Sequence, residues 1–461
     1  MPASTDDRRS PRASANGESD EGGQRRAGVD LLARVQRELG LAGAEVASPP
    51  HRAVPLPSRL ATADLAWASV SAAMLAAGRS PASLDPERIA TAYRSDRVLT
   101  ISGEAPPVWS VYSGFWRTSD GWIRTHGNYP HHAAGLRAGL RLRHDAAVDA
   151  VRDALGERTT TAAVADITTA GGLAVAVAAE EPAVDRALRE HPLLELVRID
   201  TTPASHAPRA TAASTPPASL PLQGMRVLDL TRVIAGPVCS RTLAMLGADV
   251  LRIDPPHLPE PEWQHLDTGH GKRSAVLDAR TSRLQELLAH ADAVVLGYRP
   301  AALDRLGLQP EVLARRYPRL VVAQLSAWGV ENPERAGFDS LVQAASGISF
   351  IESADGDRPG ALPAQALDHS AGYLLAAAVT ALLRRRPEEG SWIVRTSLRR
   401  VAAELLGMPR SGEPAAEVEF DTRPHVARFD VDGTALVTAR PALAGFEYRA
   451  PHKWGSDQPT W

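Results

Sequence analysis

Between Gly224 and Asp254 the spacing of apolar positions changes twice. Met225–Leu230 is a short apolar run of β-forming residues, the length of a buried parallel strand. Gly236-Pro237 breaks that run, and proline in a first helical turn loses no hydrogen bond, because its N–H would be unpaired anyway. Leu243 and Leu246 continue at helical spacing, Gly247 suits a helix stop, and Asp249–Ile253 returns as a second strand. The pattern predicts a βαβ unit with a right-handed crossover. The helix start after Ala235-Gly236 would present backbone N–H groups and a positive dipole end to the crevice above the sheet. Such a crevice suits the phosphates of a nucleotide-containing ligand.

The alternation continues along the second half. Strands are expected at 225–230, 249–253, 274–278, 292–296 and 319–325, separated by helices at 237–246, 281–290, 302–306 and 310–316. This predicts an α/β fold with a doubly wound, parallel, Rossmann-like sheet. A long apolar helix follows at Ser370–Arg386, then a strand at Ser391–Leu398 and a Pro/Gly-rich tail to Trp461. The first half reads as helices at Leu60–Ala77, Asp145–Leu155 and Thr160–Ala170 around one hairpin. In that hairpin Val108–Arg117 turns at Ser119-Asp120-Gly121 into Trp122–His126. Residues 1–27 lack apolar periodicity and read as a disordered tail; 201–222, rich in Pro, Ala, Ser and Thr, read as a linker. The expected division is therefore a smaller α+β domain at 28–200, an α/β domain at 223–400 and a C-terminal return segment at 401–461.

Composition narrows the function classes. The 461 residues carry 51 Lys+Arg against 54 Asp+Glu, so no broad basic field exists for nucleic acid. A single cysteine, Cys239, excludes an internal disulfide framework and fits a reducing compartment. The sequence reading finds neither a bilayer-spanning apolar run nor a signal-peptide core, and expects a cytoplasmic protein without a membrane partner. No G-x-G-x-x-G joins the first strand and helix, which argues against a nicotinamide or flavin site although Asp254 ends the second strand as a ribose-binding acid would. His126, His131 and His132 lack the company of other ligands, so no metal site is expected; surface-loop histidines are the favoured reading and substrate contact the second. Trp116 and Trp122 read as hairpin core.

One acidic residue carries more chemistry. Asp368 stands just before Ser370-Ala371-Gly372, where the long helix is expected to open. A carboxylate there is commonly a plain helix cap, worth about 1 kcal/mol. Alternatively it is a nucleophile that attacks a thioester carbonyl and forms a mixed anhydride. Backbone N–H groups at the helix end would then hold the carboxylate and the developing oxyanion.

The segments Gly224–Asp254, GKRSAVLD (271–278), YRPAALDRLGL (298–308), SAWG (326–329), AGFDSLVQAASG (336–347) and ALDHSAGYLLAAAVTALLRR (366–385) occur in that order. Together they resemble the class III CoA-transferase family of the CaiB/BaiF type. The resemblance implies transfer of CoA from an acyl-CoA to a carboxylic acid, with Asp368 as nucleophile. No metal or permanently bound cofactor is implied, since CoA and acyl-CoA enter as substrates. Val233, Ile234 and Ala235 match the loop that lies against the CoA nucleotide, Lys272 a basic residue of the GKRS segment, and Arg305 an arginine near the CoA phosphates. A solvated surface charge is the competing reading for Lys272 and Arg305. Gly297 replaces an asparagine frequent before the aromatic of the family's Asn-Phe-Arg-Pro motif, and Thr268–Gly271 holds no asparagine. CoA affinity would then rest more on backbone groups.

The resemblance also implies a homodimer, and leaves open whether the family's interlocking of subunits is kept. The order of segments is unusual: residues 116–132 resemble the family's later hairpin region, so a second-half segment stands ahead of a first half. Segment 390–400 and Trp454–Trp461 also look like family features, and the chain reads as a rearranged or fused version. In the sister α-methylacyl-CoA racemases a histidine precedes the aspartate of the Gly-x-Asp motif; here Phe338 does, and His369, next to Asp368 on a helix, does not face it. Racemisation is disfavoured. A non-catalytic or partner-dependent CoA-binding subunit is the remaining alternative.

Overall fold

The structure, a computed structural model, describes residues 16–41, 51–199 and 220–461. Most of the expected linker, 201–219, and the first fifteen residues of the expected tail lie outside them. The rest of that tail, from Asn16, belongs to a helix, Asn16–Glu38.

Thirteen strands occur among the described residues. In chain order they are β1 (Thr100–Ile101), β2 (Gly114–Arg117), β3 (Trp122–Thr125), β4 (Ala174–Ala176), β5 (Glu195–Ile199) and β6 (Arg226–Leu230). Then follow β7 (Asp249–Asp254), β8 (Lys272–Val276), β9 (Ala293–Leu296), β10 (Val321–Ser326), β11 (Ser391–Ser397), β12 (Val426–Val431) and β13 (Thr434–Ala439). The central sheet has seven strands in the order β5-β11-β10-β9-β6-β7-β8. All neighbours from β11 to β8 are parallel, and β5 closes one edge antiparallel to β11.

Parallel strands are covered on both faces, so their sequences are largely apolar and the charges they do carry are paired. Here alternate residues feed two different cores. Val227, Val250, Val295 and Val321 join one cluster with Val238, Leu243, Leu374 and Leu382 from helices Ala235–Met245 and Ala366–Glu389. Their neighbours Leu228, Leu251, Val294 and Val322 join Leu284, Leu287, Leu303 and Leu313 on the opposite face.

The boundary expected near residue 200 does not divide two cores. Leu31, Leu32 and Val35, and Leu65 and Val70 of helix Thr62–Ala76, pack in the same cluster as the long helix. With β5 they complete the large body, because a sheet edge and a wholly apolar helix both need cover. Only the middle of the first half forms a unit of its own. There β2, β3 and β4 make a small sheet, backed by Trp116, Ile123, Leu136, Val151, Leu155 and Ile167. The segment expected as a tail holds the hairpin β12–β13, to which β1 adds a third strand.

The long helix begins at Ala366, four residues before the expected Ser370. Ala366–Arg385 is long and apolar enough to cross a membrane by length and composition, contrary to the sequence reading, but its apolar stretch is buried in the protein. Its close approach to helix Ala235–Met245 is set by Gly372, where a Cβ would lie 2.6 Å from the Ala235 carbonyl oxygen.

From β6 the chain winds outward through β7 and β8, then returns to β9 on the other side of β6 and continues to β10 and β11. The loops leaving β6 and β9 therefore diverge, which opens a crevice at the carboxyl ends of these two strands.

Candidate active site

The loop after β6 is held by a buried ionic cluster. Val233 sits at φ 72°, a left-handed conformation that a β-branched residue rarely adopts. Its N–H donates to Glu260 Oε1 at 3.1 Å. Glu260 also accepts from Tyr129 Oη at 2.9 Å, Arg232 Nε at 2.8 Å and Arg252 Nη2 at 3.1 Å. Burial pushes this carboxyl up, yet Arg252, Arg232 and the hydrogen bonds outweigh it and hold it below its ordinary value. Arg252 binds Asp254 as well, through Nε at 2.7 Å, so Asp254 is an interior ion-pair partner.

Asp368 lies in the first turn of the long helix, one turn inside the position the sequence suggested. Its N–H donates to Asp339 Oδ2 at 2.9 Å. Asp339 opens helix Asp339–Ala345, and its Oδ1 accepts from Gln343 Nε2 one turn on. Gln343 Oε1 in turn accepts from the Leu362 N–H at 2.9 Å. The capping role considered for Asp368 is thus performed by Asp339 from another helix. Among the described residues the Asp368 carboxyl has no hydrogen-bond or ion-pair partner. It stands on the wall of a small cavity of about 40 Å³, together with Asp339, Val233, Ile234, His126 and Trp109.

Electrostatics follow from that burial. Asp368 is pushed well above the usual carboxylate range, first by desolvation and then by the charge of Asp339. Asp339 is raised to about 6, again by burial first, against the opposing pull of its hydrogen bonds and Arg124. The two carboxyls behave as one coupled pair.

His126 is no surface-loop residue. It is 5% exposed, its ring stacks on Phe338 at 3.9 Å between centroids, and its Nδ1 is buried without a partner. Burial, then His132 and Arg124, lower it to about 3, so the imidazole is neutral near pH 7. His126, just past the end of β3, thus lies against Phe338. His131 is exposed and His132 half-buried at the start of helix Pro130–Gly139.

Of the expected CoA contacts, Val233 and Ile234 reach the cavity, and Ala235 is buried at the first position of the adjoining helix. Lys272 and Arg305 are placed elsewhere. Lys272 is 2% exposed, with Nζ 2.9 Å from Asp229 Oδ2 and 3.0 Å from the Pro237 carbonyl, beneath the helix start. Burial, partly offset by Asp229, lowers this amine to about 8. It is neither a solvated charge nor a wall of the cavity. Arg305 is exposed on helix Pro300–Arg305 and pairs with Glu334 at 2.8 Å. Sequence reasoning overlooked Asp339, Glu260 and Arg124, and gave His126 substrate contact only as its second reading. For Asp339 a signal was present, an acid opening a helix with a glutamine four residues on.

A doubly wound sheet with a partnerless buried carboxyl beside its switch-point loop thus forms the centre of an α/β body. Residues 222–417 match CoA-transferase family III. Over 257 residues the chain is 30% identical to the probable fatty acyl-CoA transferase Rv3272 of Mycobacterium tuberculosis, covering 48% of this chain and 65% of that protein. It is 34% identical over 157 residues to succinyl-CoA–D-citramalate CoA-transferase of Chloroflexus aurantiacus, with coverages of 30% and 39%. Human alpha-methylacyl-CoA racemase is 34% identical over 162 residues, with coverages of 34% and 42%. A crystal structure of the Mycobacterium tuberculosis protein aligns with 31% identity and a TM-score of 0.38, over 41% of this chain and 57% of that one. The chain spans less than two thirds of the length of each of these relatives.

Proposed function

We propose that the protein transfers CoA from an acyl-CoA thioester to a carboxylic acid, with Asp368 as the covalent nucleophile. The observation that carries this reading is the Asp368 carboxyl on the cavity wall, left without a partner because Asp339 caps the helix. In the proposed cycle the Asp368 carboxylate attacks the thioester carbonyl. The C–S bond breaks, CoA leaves as thiolate, and a mixed anhydride remains. The thiolate then attacks the aspartyl carbonyl, releasing the donor acid and leaving an aspartyl-CoA thioester. The acceptor carboxylate attacks that thioester, and CoA thiolate finally takes the acceptor's acyl group and frees Asp368. Asp339 acts on the nucleophile through its charge: a carboxylate whose proton is held more tightly is also the stronger nucleophile once ionised. The acting form is proposed to be a homodimer, with CoA as substrate rather than resident cofactor.

A second reading is favoured by one observation, the neutral His126 imidazole sharing the cavity with Asp368. Two such groups could exchange the proton next to a thioester carbonyl. One experiment separates the readings: incubation with a panel of acyl-CoA thioesters in D₂O, with and without borohydride, followed by mass spectrometry. Reduction of the activated Asp368 to homoserine establishes covalent transfer and identifies a donor. Deuterium gain at the acyl α-carbon without modification of Asp368 favours proton transfer. CoA binding with neither outcome overturns both in favour of the binding subunit.

A further inference from the structure

His369 follows Asp368 directly, and neighbours on a helix do not face one another. Both nevertheless stand on the wall of the same cavity. Its volume of about 40 Å³ has room for about three waters, so a group lodged against Asp368 is within reach of the other walls. The backbone of this helix start is already engaged. The N–H groups of Leu367 and Asp368 donate to the Asp339 carboxyl, and that of His369 donates to the Gln365 carbonyl. The backbone donors expected from sequence to hold an oxyanion are therefore spent, and a side chain must supply that bond.

His369 is 4% exposed, and its ring stacks on Tyr93 at 5.0 Å between centroids. Tyr93 is fixed in turn by a 3.0 Å bond between its hydroxyl and Ser370 Oγ and by stacking on Tyr373. Packing thus sets the plane of the imidazole. Among the described residues neither ring nitrogen has a hydrogen-bond partner. Nδ1 is buried, and Nε2, which is not sealed in the same way, is the edge open to the cavity. Burial, then the charge of Arg241, lower this imidazole to about 3, so the ring carries a single proton near pH 7. A buried N–H without an acceptor costs more than a buried lone pair, which assigns that proton to Nε2.

We propose that His369 is a second catalytic residue, whose Nε2–H donates a hydrogen bond to the oxyanion formed at the thioester carbonyl. The Asp368 carboxylate forms a C–O bond, the carbonyl π electrons move to oxygen, and the imidazole proton stays on Nε2. When the C–S bond breaks, those electrons re-form the carbonyl and CoA leaves as thiolate. A neutral donor suits this step, since it stabilises the developing charge without giving up its proton. The role of His369 rests on the reading of Asp368 as nucleophile.

The test is the rate of borohydride-trapped labelling of Asp368 in the full chain by acetyl-CoA, butyryl-CoA and succinyl-CoA, with CoA affinity measured alongside by calorimetry. His369→Phe keeps an aromatic ring against Tyr93 but has no N–H. It should label about 10²–10³-fold more slowly than the parent, with CoA affinity unchanged. His369→Gln, a neutral donor that cannot relay a proton, should recover part of the lost rate. Labelling of His369→Phe at the parent rate overturns the proposal and leaves the Asp368 reading intact. So does a His369→Gln variant no faster than His369→Phe, which would give the ring a proton to carry. A parent protein that binds CoA but is never labelled overturns both readings together.

Discussion

At the scale of single residues, the pair Asp339–Asp368 sets the pH response. Asp339 is raised to about 6 from an ordinary 3.8, and Asp368 is raised well above that ordinary value too, first by burial and then by the charge of Asp339. A carboxyl whose proton is held more tightly in the fold than in the open chain favours folding at low pH. That contribution is complete below 3.8 and is lost as pH rises through the folded value. Asp368→Asn removes one of the two charges. It should raise the melting temperature by about 2 °C at pH 8, with a smaller gain at pH 4.5, in thermal melts. An equal gain at both pH values would show that the fold does not raise the Asp368 carboxyl. Asp368 was singled out in the sequence by its place just before Ser370-Ala371-Gly372 and by the family resemblance. Asp339's capping role was not, since it joins residues 29 apart that meet only when two helices pack. Lys272 was misread for a related reason: its counter-ion, Asp229, is 43 residues away.

At the scale of elements, two glycines fix the approach of the helices that carry the site. A Cβ on Gly372 would lie 2.6 Å from the Ala235 carbonyl oxygen, and one on Gly236 would lie 2.4 Å from Thr231 Cβ. These neighbours are backbone or branched side chain and yield little. Gly372→Ala should therefore destabilise the protein by about 1–3 kcal/mol in denaturant unfolding. At Gly156, which ends helix Val148–Gly156 with nothing within 4 Å, alanine should be neutral or gain about 0.5–1 kcal/mol. Equal effects at the two sites would refute the close-contact argument. The parallel strands were readable because each carries a short apolar run, and the first hairpin because Asp120-Gly121 turns it. Asp432-Gly433 carries the same signal, with φ 50° and 83°, and the hairpin it turns was passed over within a Pro/Gly-rich stretch. The start of the long helix was misplaced because Ser370-Ala371-Gly372 looks like an opening, whereas Asp339 supplies the cap from a distance.

At the scale of the whole molecule, the two halves of the chain share one core. β5 pairs with β11, and helix Thr62–Ala76 lies in the same apolar cluster as the long helix. Cleavage at a protease site engineered into 201–219 should leave both fragments co-eluting in size-exclusion chromatography under native conditions. Separation into two folded species would contradict the shared core. The sequence expected a rearranged order of segments, through the resemblance of residues 116–132 to a later part of the family. It could not signal that β5 closes the sheet, because strand pairing between residues 199 and 391 has no local signature.

The buried helix Ala366–Arg385 has a consequence for biosynthesis. It is the segment least able to stand in water, and its emergence from the ribosome is a hazard for any nascent chain. Synthesis runs from the N-terminus, so helices Thr62–Ala76 and Ala235–Met245 and strands β6 to β10 are all complete before it appears. The apolar helix thus enters a cradle that has already been translated, and only β11 on that sheet remains to be added.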